Sequence, residues 1–87
     1  MKTPLNYAIL QAVVALGECD ADDVMTQLTP EYGQYRAFRR ATVVESLMTA
    51  TQNRILEETG AELTDDGDVN IRYRATDYGA ELIRRLL

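Results

Sequence analysis

Residues 39 to 53 read RRATVVESLMTATQN, and this stretch predicts an amphipathic helix. Val43, Leu47 and Ala50 recur at i, i+4 and i+7, so they share one helical face that would pack inward. The side chains expected on the outward face are small and polar: Thr42, Glu45, Thr49 and Gln52. We expect the rest of the chain to hold this helix in place, with its polar face toward solvent or a partner.

Three arginines stand at the start of this helix: Arg36, Arg39 and Arg40. No acidic residue occurs between Glu31 and Glu45. Positive charge at a helix N-terminus is unfavourable for the helix itself, because that end of the macrodipole is already positive. The placement therefore favours a negatively charged partner. The alternative is that these arginines are solvated or paired with carboxylates from elsewhere in the chain.

Length and composition predict one small globular domain spanning residues 1 to 87. The chain is 46% apolar and 26% charged, as in ordinary globular proteins, and a domain of this size buries only a modest core. It has no uncharged apolar run of about 18 residues and no signal-peptide pattern. We therefore expect no membrane association and a cytoplasmic location.

The residue inventory argues against an enzyme. The chain has no histidine and a single cysteine, Cys19, which excludes an internal disulfide and a Cys/His zinc site. It also lacks a Gly-rich phosphate loop and a serine nucleophile elbow. We predict no catalytic residue, no metal and no cofactor, and we expect Cys19 to be a plain thiol in a turn.

Charge is distributed unevenly along the chain. The net charge of -5 argues against strong nonspecific attraction to nucleic acid. Residues 32 to 56 nevertheless carry +3, whereas residues 57 to 68 carry -6. The positive residues thus coincide with the central helix, and two further arginines, Arg72 and Arg74, follow the acidic stretch.

Two helices are predicted before the central one. Thr3 as a cap and Pro4 in the first turn begin a helix over about residues 4 to 16, which Gly17 ends in a left-handed conformation. Asp20 caps a second, shorter helix. Pro30 and Gly33 predict a connector over residues 29 to 37. We expect its aromatic residues to fix it to the core rather than to stack on bases: Tyr32, Tyr35 and Phe38.

A β-hairpin and a last helix are predicted after Asn53, which we expect to take the left-handed conformation. Residues 61 to 74 alternate apolar and polar positions around Asp65-Asp66-Gly67-Asp68, and Asp-Gly is typical of a two-residue turn with positive φ at both positions. Gly60 marks a bulge or bend. The outer face of the hairpin would carry Asn70, Arg72 and Arg74.

The final helix begins at Thr76, a good capping residue. Its apolar side is formed by Leu82, Ile83 and Leu86. The last two leucines, Leu86 and Leu87, pack either on the first helix or on a second copy of the chain. We favour the second copy, and therefore a homodimer, because so small a monomer has little to cover them with.

Two segments resemble bacterial winged-helix regulators. Residues 42 to 56, TVVESLMTATQNRIL, look like their recognition helix and following strand, and residues 73 to 82, YRATDYGAEL, resemble the end of the wing in the PadR and MarR groups. The resemblance implies an α+β, mostly α fold: a winged helix-turn-helix with three helices, a two-stranded β-hairpin wing and a C-terminal helix. It covers nearly the whole chain.

The resemblance also implies a function, a small regulator of transcription that binds double-stranded DNA, and the positions of its contacts. The recognition helix enters the major groove, with residues matching Arg39, Thr42, Glu45, Ser46 and Thr49 toward the bases. Phosphate contacts would come from Arg36 and Arg40 at the helix start and from Arg72 and Arg74 on the wing strand.

Two departures from the family pattern bear on this expectation. Many relatives have glycine where this chain has Arg54, although Asn53 could take over the turn. The wing tip holds three aspartates, which DNA would repel, whereas wing tips that touch DNA tend to be basic. The alternative function is therefore a winged helix that binds a protein partner at its acidic wing, without DNA.

Overall fold

The computed structural model describes residues 3 to 86, and its elements follow the predicted winged helix-turn-helix order with one additional strand. Four helices surround a three-stranded antiparallel sheet whose strand order is β1-β3-β2. Within residues 3 to 86, no helix is both long and apolar enough to cross a membrane. The elements are α1 (Leu5–Leu16), β1 (Glu18–Cys19), α2 (Ala21–Tyr32), α3 (Arg40–Gln52), β2 (Leu56–Leu63), β3 (Val69–Ala75) and α4 (Asp77–Leu86).

The additional strand, β1, corrects the prediction of a two-stranded sheet. Glu18 pairs with Arg74 and Cys19 with Tyr73. Two residues are too few for an alternating pattern to be visible in the sequence. Cys19 therefore lies in a strand and not in a turn, and burial of its side chain raises the pKa of the thiol to about 11.

The start of α2 agrees with the sequence prediction, whereas the start of α1 differs from it. Asp20 caps α2 as predicted, because its carboxylate accepts from the N–H of Asp23 at 2.8 Å while the Asp23 carboxylate accepts from the N–H of Asp20 at 3.1 Å. The prediction for Thr3 is wrong: Pro4 is the N-cap of α1, without a side-chain hydrogen bond. The carbonyl of Thr3 instead accepts from the buried Tyr32 hydroxyl.

The second helix is longer than predicted because it continues through Pro30 to Tyr32. Pro30 lies in the last turn, where the missing N–H removes a single helical hydrogen bond. The connector therefore begins after Tyr32 and not at residue 29. Tyr32 is buried and Phe38 packs against the core, as predicted, whereas Tyr35 is exposed with its ring edge-on to Tyr32.

The central helix, α3, has the predicted buried face: Val43, Leu47 and Ala50 all lie in the core. It begins at Arg40, with Arg39 as its N-cap, within one residue of the expectation. Its apolar stripe belongs to one core cluster shared by the helices and the sheet. Fully buried residues of that cluster from other elements are Ile9, Val13, Cys19, Val24 and Leu56.

The turn after α3 is made by Arg54 and not by Asn53. Asn53 has φ -88°, whereas Arg54 has φ 63° and is the one non-glycine residue with positive φ among residues 3 to 86. The Arg54 N–H donates to the Thr51 carbonyl at 3.0 Å. A side chain in this conformation costs roughly 1–2 kcal/mol, and the surrounding turn holds it there.

Arg54→Gly is therefore expected to raise the free energy of unfolding by about 0.5 kcal/mol, because relief of the strained φ exceeds the entropy that glycine loses on folding. Asn53→Gly is the matched control, since its φ is ordinary and glycine brings only the entropic cost. Urea unfolding should show the two midpoints moving in opposite directions. A lower midpoint for both variants would contradict the strain at Arg54.

The wing is a longer hairpin than predicted, formed by β2 and β3 from Leu56 to Ala75. The register shifts between Glu58 and Gly60, which is the expected bulge. The predicted two-residue turn is wrong, because only Gly67 has positive φ at the tip, at 87°. Thr64 bonds the Asp66 carboxylate, and its N–H donates to the Asp68 carbonyl at 2.8 Å. The connection is therefore a three-residue loop closed by Gly67.

The last helix, α4, begins as predicted. The Thr76 hydroxyl accepts from the N–H of Gly79 at 2.9 Å, which caps the helix. Ile83 is buried and Leu82 half-buried, whereas Leu86 is exposed. Leu87, the other residue expected to meet a second copy, lies outside the described residues.

Candidate nucleic-acid interface

The outward face of α3 is exposed along the length of the helix. Glu45, Thr49 and Gln52 face solvent, as predicted. Thr42 and Ser46 are half-buried because they line a groove of about 390 Å³ between α3 and α1. The groove offers hydroxyl and amide groups to a partner.

A hydrogen bond fixes one wall of this groove. The Ser46 hydroxyl donates to Oδ1 of Asn6 on α1 at 3.2 Å. Ser46 is thereby oriented toward α1, and its hydroxyl oxygen stays available as an acceptor.

Met48 is a surface residue that the sequence reasoning missed. Its side chain is 49% exposed, and it lies on the outward face between Glu45 and Gln52. Helical spacing from Glu45 and Gln52 would have placed it there, but only polar side chains were considered for this face. The interface thus has an apolar patch at its centre.

Arg36 and Arg39 are the two exposed arginines at the α3 start that are without a carboxylate partner. Within residues 3 to 86, no acidic group lies within 4.0 Å of either guanidinium, although five other arginines form ion pairs. The Nε of Arg39 donates to the Arg36 carbonyl at 3.2 Å, which orients the Arg39 guanidinium beside the helix start. Both positive charges are therefore available to an anion.

Arg40 is paired but accessible. Its Nε lies 2.9 Å from a carboxylate oxygen of Asp22, and both side chains are more than half exposed. The hydrogen bond and the charge of Asp22 raise the pKa of Arg40. An exposed pair of this kind contributes only about 0–1 kcal/mol, so a phosphate could displace Asp22. The pKa of Asp66 at the wing tip is lowered mainly by the hydrogen bond from Thr64, and the charge of Arg40 also contributes to that lowering.

The two wing arginines are engaged by acids. Arg72 lies 3.4 Å from Glu18, 3.8 Å from Asp20 and 4.0 Å from Asp23. Arg74 donates from Nε and an Nη to one oxygen of Glu57, at 3.2 and 2.9 Å. Arg36 and Arg39 are thus next to each other and without an acidic partner among the described residues, whereas Arg40 and the two wing arginines are ion-paired. Their assignment as phosphate contacts stays a prediction that these ion pairs count against.

Asp20 connects the start of α2 to the wing strand. Its carboxylate accepts from the Asn70 amide at 2.8 Å as well as from the Asp23 N–H. Burial would by itself raise the pKa of Asp20, but these two hydrogen bonds and the charge of Arg72 outweigh it and hold the pKa below its ordinary value. The ionised form is the one that fits the folded protein.

This lowered pKa predicts a pH dependence of stability. A carboxylate with a depressed pKa in the folded state stabilises the protein above its unfolded pKa, about 3.9, and that stabilisation is lost as pH falls through the folded value. In urea unfolding at pH values between 7 and 3, the free energy of unfolding should therefore fall less steeply with decreasing pH for Asp20→Asn than for the parent. Asp65→Asn, at the exposed wing tip, is the control and should decline as the parent does. Equal slopes for all three would contradict the assignment.

In the part of the chain that the structure describes, no group of three or more His, Cys, Asp or Glu side chains is arranged as a metal site. The side chains on the α3 face offer hydrogen bonding, charge pairing and apolar contact. These are the interactions of a binding surface.

The fold is similar to solved structures of bacterial transcriptional regulators. PadR of Bacillus subtilis, solved in complex with operator DNA, superposes with a TM-score of 0.74 at 21% sequence identity, over 94% of this chain and 45% of that one. A PadR-like transcriptional regulator of Bacillus cereus gives a TM-score of 0.68 at 18% identity, over 93% of this chain and 75% of that one. The chain thus spans about half the length of the PadR structure. No family model and no curated protein matches the sequence.

Proposed function

We propose that this protein is a regulator of transcription that binds double-stranded DNA with the outward face of α3. The observation that carries the proposal is the exposed polar face of α3 behind two arginines, Arg36 and Arg39, that lack an acidic partner within residues 3 to 86. The likeness to a PadR solved with operator DNA supports it, because the matching fold includes α3. The proposed site of action is the cytoplasm.

In this proposal, the arginines bind phosphates and the α3 face contacts bases. Arg36 and Arg39 contact the backbone directly, and Arg40 does so after leaving Asp22. Thr49 and Ser46 offer hydroxyls to base edges, Glu45 accepts from cytosine N4, and Thr42 contacts the edge of the groove. Gln52 suits adenine, and Met48 suits a thymine methyl group, by the chemistry of their side chains. Arg72 and Arg74 have at most a minor part.

Binding as a homodimer is part of the proposal. Exposed apolar side chains occur on α1 and α4, where a second copy could cover them: Tyr7, Val14, Tyr78 and Leu86. Two α3 helices of a symmetric dimer would fit half-sites about 34 Å apart. Sedimentation should show a dimer, and Tyr78→Ser with Leu86→Ser should shift it toward monomer if α4 forms the contact.

The test is selection of bound duplexes from a random pool, followed by titration of the selected site at several salt concentrations. Arg36→Ala with Arg39→Ala should weaken binding and reduce the salt slope by about 2, one for each lost phosphate contact. The matched control is Arg84→Ala with Arg85→Ala on α4, which changes the net charge equally and removes arginines that pair with Glu81.

The control variant should bind as the parent does, because only the position of the removed charges differs. Equal weakening by both double variants would mean that net charge, and not the α3 surface, governs binding. Absence of any enriched duplex at low salt would refute the proposed function.

A further inference from the structure

The inner face of the wing extends beyond the core and leaves an aliphatic pair in solvent. Leu63 and Val69 are directly opposite each other in the β2–β3 ladder, at the last pair before the tip. Leu63 is 78% exposed and Val69 56% exposed. The alternation of the strands predicted a half-buried position for both residues. The tip of the hairpin therefore lies beyond the hydrophobic core.

This aliphatic pair continues toward the outward side of α3. Alternation along the strands places Ile71 on the same face as Val69, and Ile71 packs against the core. A small cleft between β3 and α3 is lined by Val69 and Ile71 on one side and by Val44, Met48 and Arg40 on the other, with Ala21 of α2 beside them. Exposed apolar side chains therefore stand on both sides of one cleft, which we call the wing cleft.

The rim of the wing is strongly acidic. Residues 57 to 68 carry six carboxylates and no basic residue. Glu57 is paired with Arg74. Within residues 3 to 86, no cation lies within 4.0 Å of the other five, which are exposed: Glu58, Glu62, Asp65, Asp66 and Asp68. Like charges at this density repel one another, and a cationic partner would relieve that repulsion.

We propose that the wing cleft and its acidic rim form a docking site for a basic, aliphatic segment of another protein. Aliphatic side chains of the partner cover Leu63, Val69 and Met48, and its lysines or arginines meet the carboxylates of the tip. The phosphates of a nucleic acid do not fit the wing tip, because they would face its three aspartates: Asp65, Asp66 and Asp68. The proposal does not depend on DNA binding by α3.

Charge complementarity decides the chemistry of the occupant. Electrostatic attraction raises the association rate and falls with ionic strength, whereas the aliphatic contacts slow dissociation. A partner with only one of the two features would bind weakly. The bulge between Glu58 and Gly60 and the charges on β2 disfavour simple addition of a strand to its open edge, so side-chain contacts on the face of the wing carry the binding.

The test uses a fluorescent peptide in which leucine and lysine alternate, so that an extended chain presents leucines on one face and lysines on the other. Anisotropy should show saturable binding that weakens as salt rises, and methyl NMR signals of Leu63, Val69 and Met48 should shift. A peptide alternating leucine with glutamate and one alternating serine with lysine are the comparison probes. Both should bind at least about tenfold more weakly.

Two variants locate the site, and a third is the control. Leu63→Thr with Val69→Thr places threonine, a residue that favours strands, at both exposed positions and should weaken peptide binding about tenfold. Asp65→Asn, Asp66→Asn and Asp68→Asn together should weaken it and reduce its salt dependence. Leu16→Thr makes the same kind of apolar-to-threonine change at an exposed position at the end of α1 and should leave peptide binding unchanged.

Several outcomes would overturn the proposal. If the serine–lysine peptide bound as tightly as the leucine–lysine peptide, the interaction would be nonspecific charge attraction. If the leucine–glutamate peptide bound as tightly, the carboxylates would have no role in binding. A dimer that the Leu63/Val69 variant converts to monomer would make the occupant a second copy. Loss of duplex DNA binding by that variant, with peptide binding intact, would place nucleic acid on the wing. Failure of the DNA proposal itself changes none of these readouts.

Discussion

Gly79→Ala is expected to destabilise the protein by about 3 kcal/mol, because the added methyl group has no space. A Cβ at this position would overlap the carbonyl oxygen of Ile55 and lie 2.6 Å from its carbonyl carbon. That carbonyl cannot move freely, since it accepts from the Thr76 N–H at 3.0 Å and from the Thr76 hydroxyl at 3.2 Å. The start of α4 would have to move away from Ile55, and urea or thermal unfolding would measure the loss of stability.

Gly60→Ala is the matched control for this prediction. Gly60 has no atom within 4 Å of the added Cβ and its φ is not positive, so alanine fits. Its expected effect is within about 1 kcal/mol of zero. A Gly79→Ala variant as stable as Gly60→Ala would mean that α4 is not seated against Ile55 as described.

Leu47→Ala should have a comparable effect for a different reason. Leu47 is completely buried at the centre of the α3 stripe, and its truncation removes apolar contacts and leaves a cavity. The expected loss is about 3 kcal/mol, within the range for buried leucines. For a domain of this size that corresponds to a fall in Tm on the order of 15 °C. DNA binding by the variant should weaken in parallel with the folded fraction.

Met48→Ala provides the contrast, since the two residues are adjacent in sequence but Leu47 is buried and Met48 is exposed. Met48 is half exposed, so its truncation should change stability by less than about 1 kcal/mol. If α3 contacts DNA as proposed, the Met48 variant should alter binding without altering the melting curve. Similar destabilisation by both substitutions would contradict the orientation of α3.

The parts of the fold that the sequence predicted are those with local causes. Apolar spacing located α3 within a residue, and Asp20 and Thr76 located the starts of α2 and α4, because a capping hydrogen bond forms between residues three apart. The hairpin was recognisable from alternation around Gly67. Each of these signals lies within one segment of the chain.

The features that the sequence did not predict depend on distant parts of the chain. β1 is visible only through its pairing with Tyr73 and Arg74. Arg54 takes a positive φ because the surrounding turn requires it, although its own preference is against it. The candidate site shows the same division. Neighbouring arginines at the start of α3 were expected together, but the pairing of Arg72 with carboxylates of β1 and α2 could not be foreseen.

The carboxylate of Asp20 accepts hydrogen bonds from two separate elements, the first turn of α2 and the amide of Asn70 on β3. If the wing moved and drew Asn70 away, the Asp20 carboxylate would lose one of these hydrogen bonds. Its remaining hydrogen bond, from the Asp23 N–H, would change as a result. The rate of hydrogen–deuterium exchange at the Asp23 amide would therefore report a displacement of β3 near the wing tip. A partner that binds the wing would therefore be detectable at a backbone amide of α2.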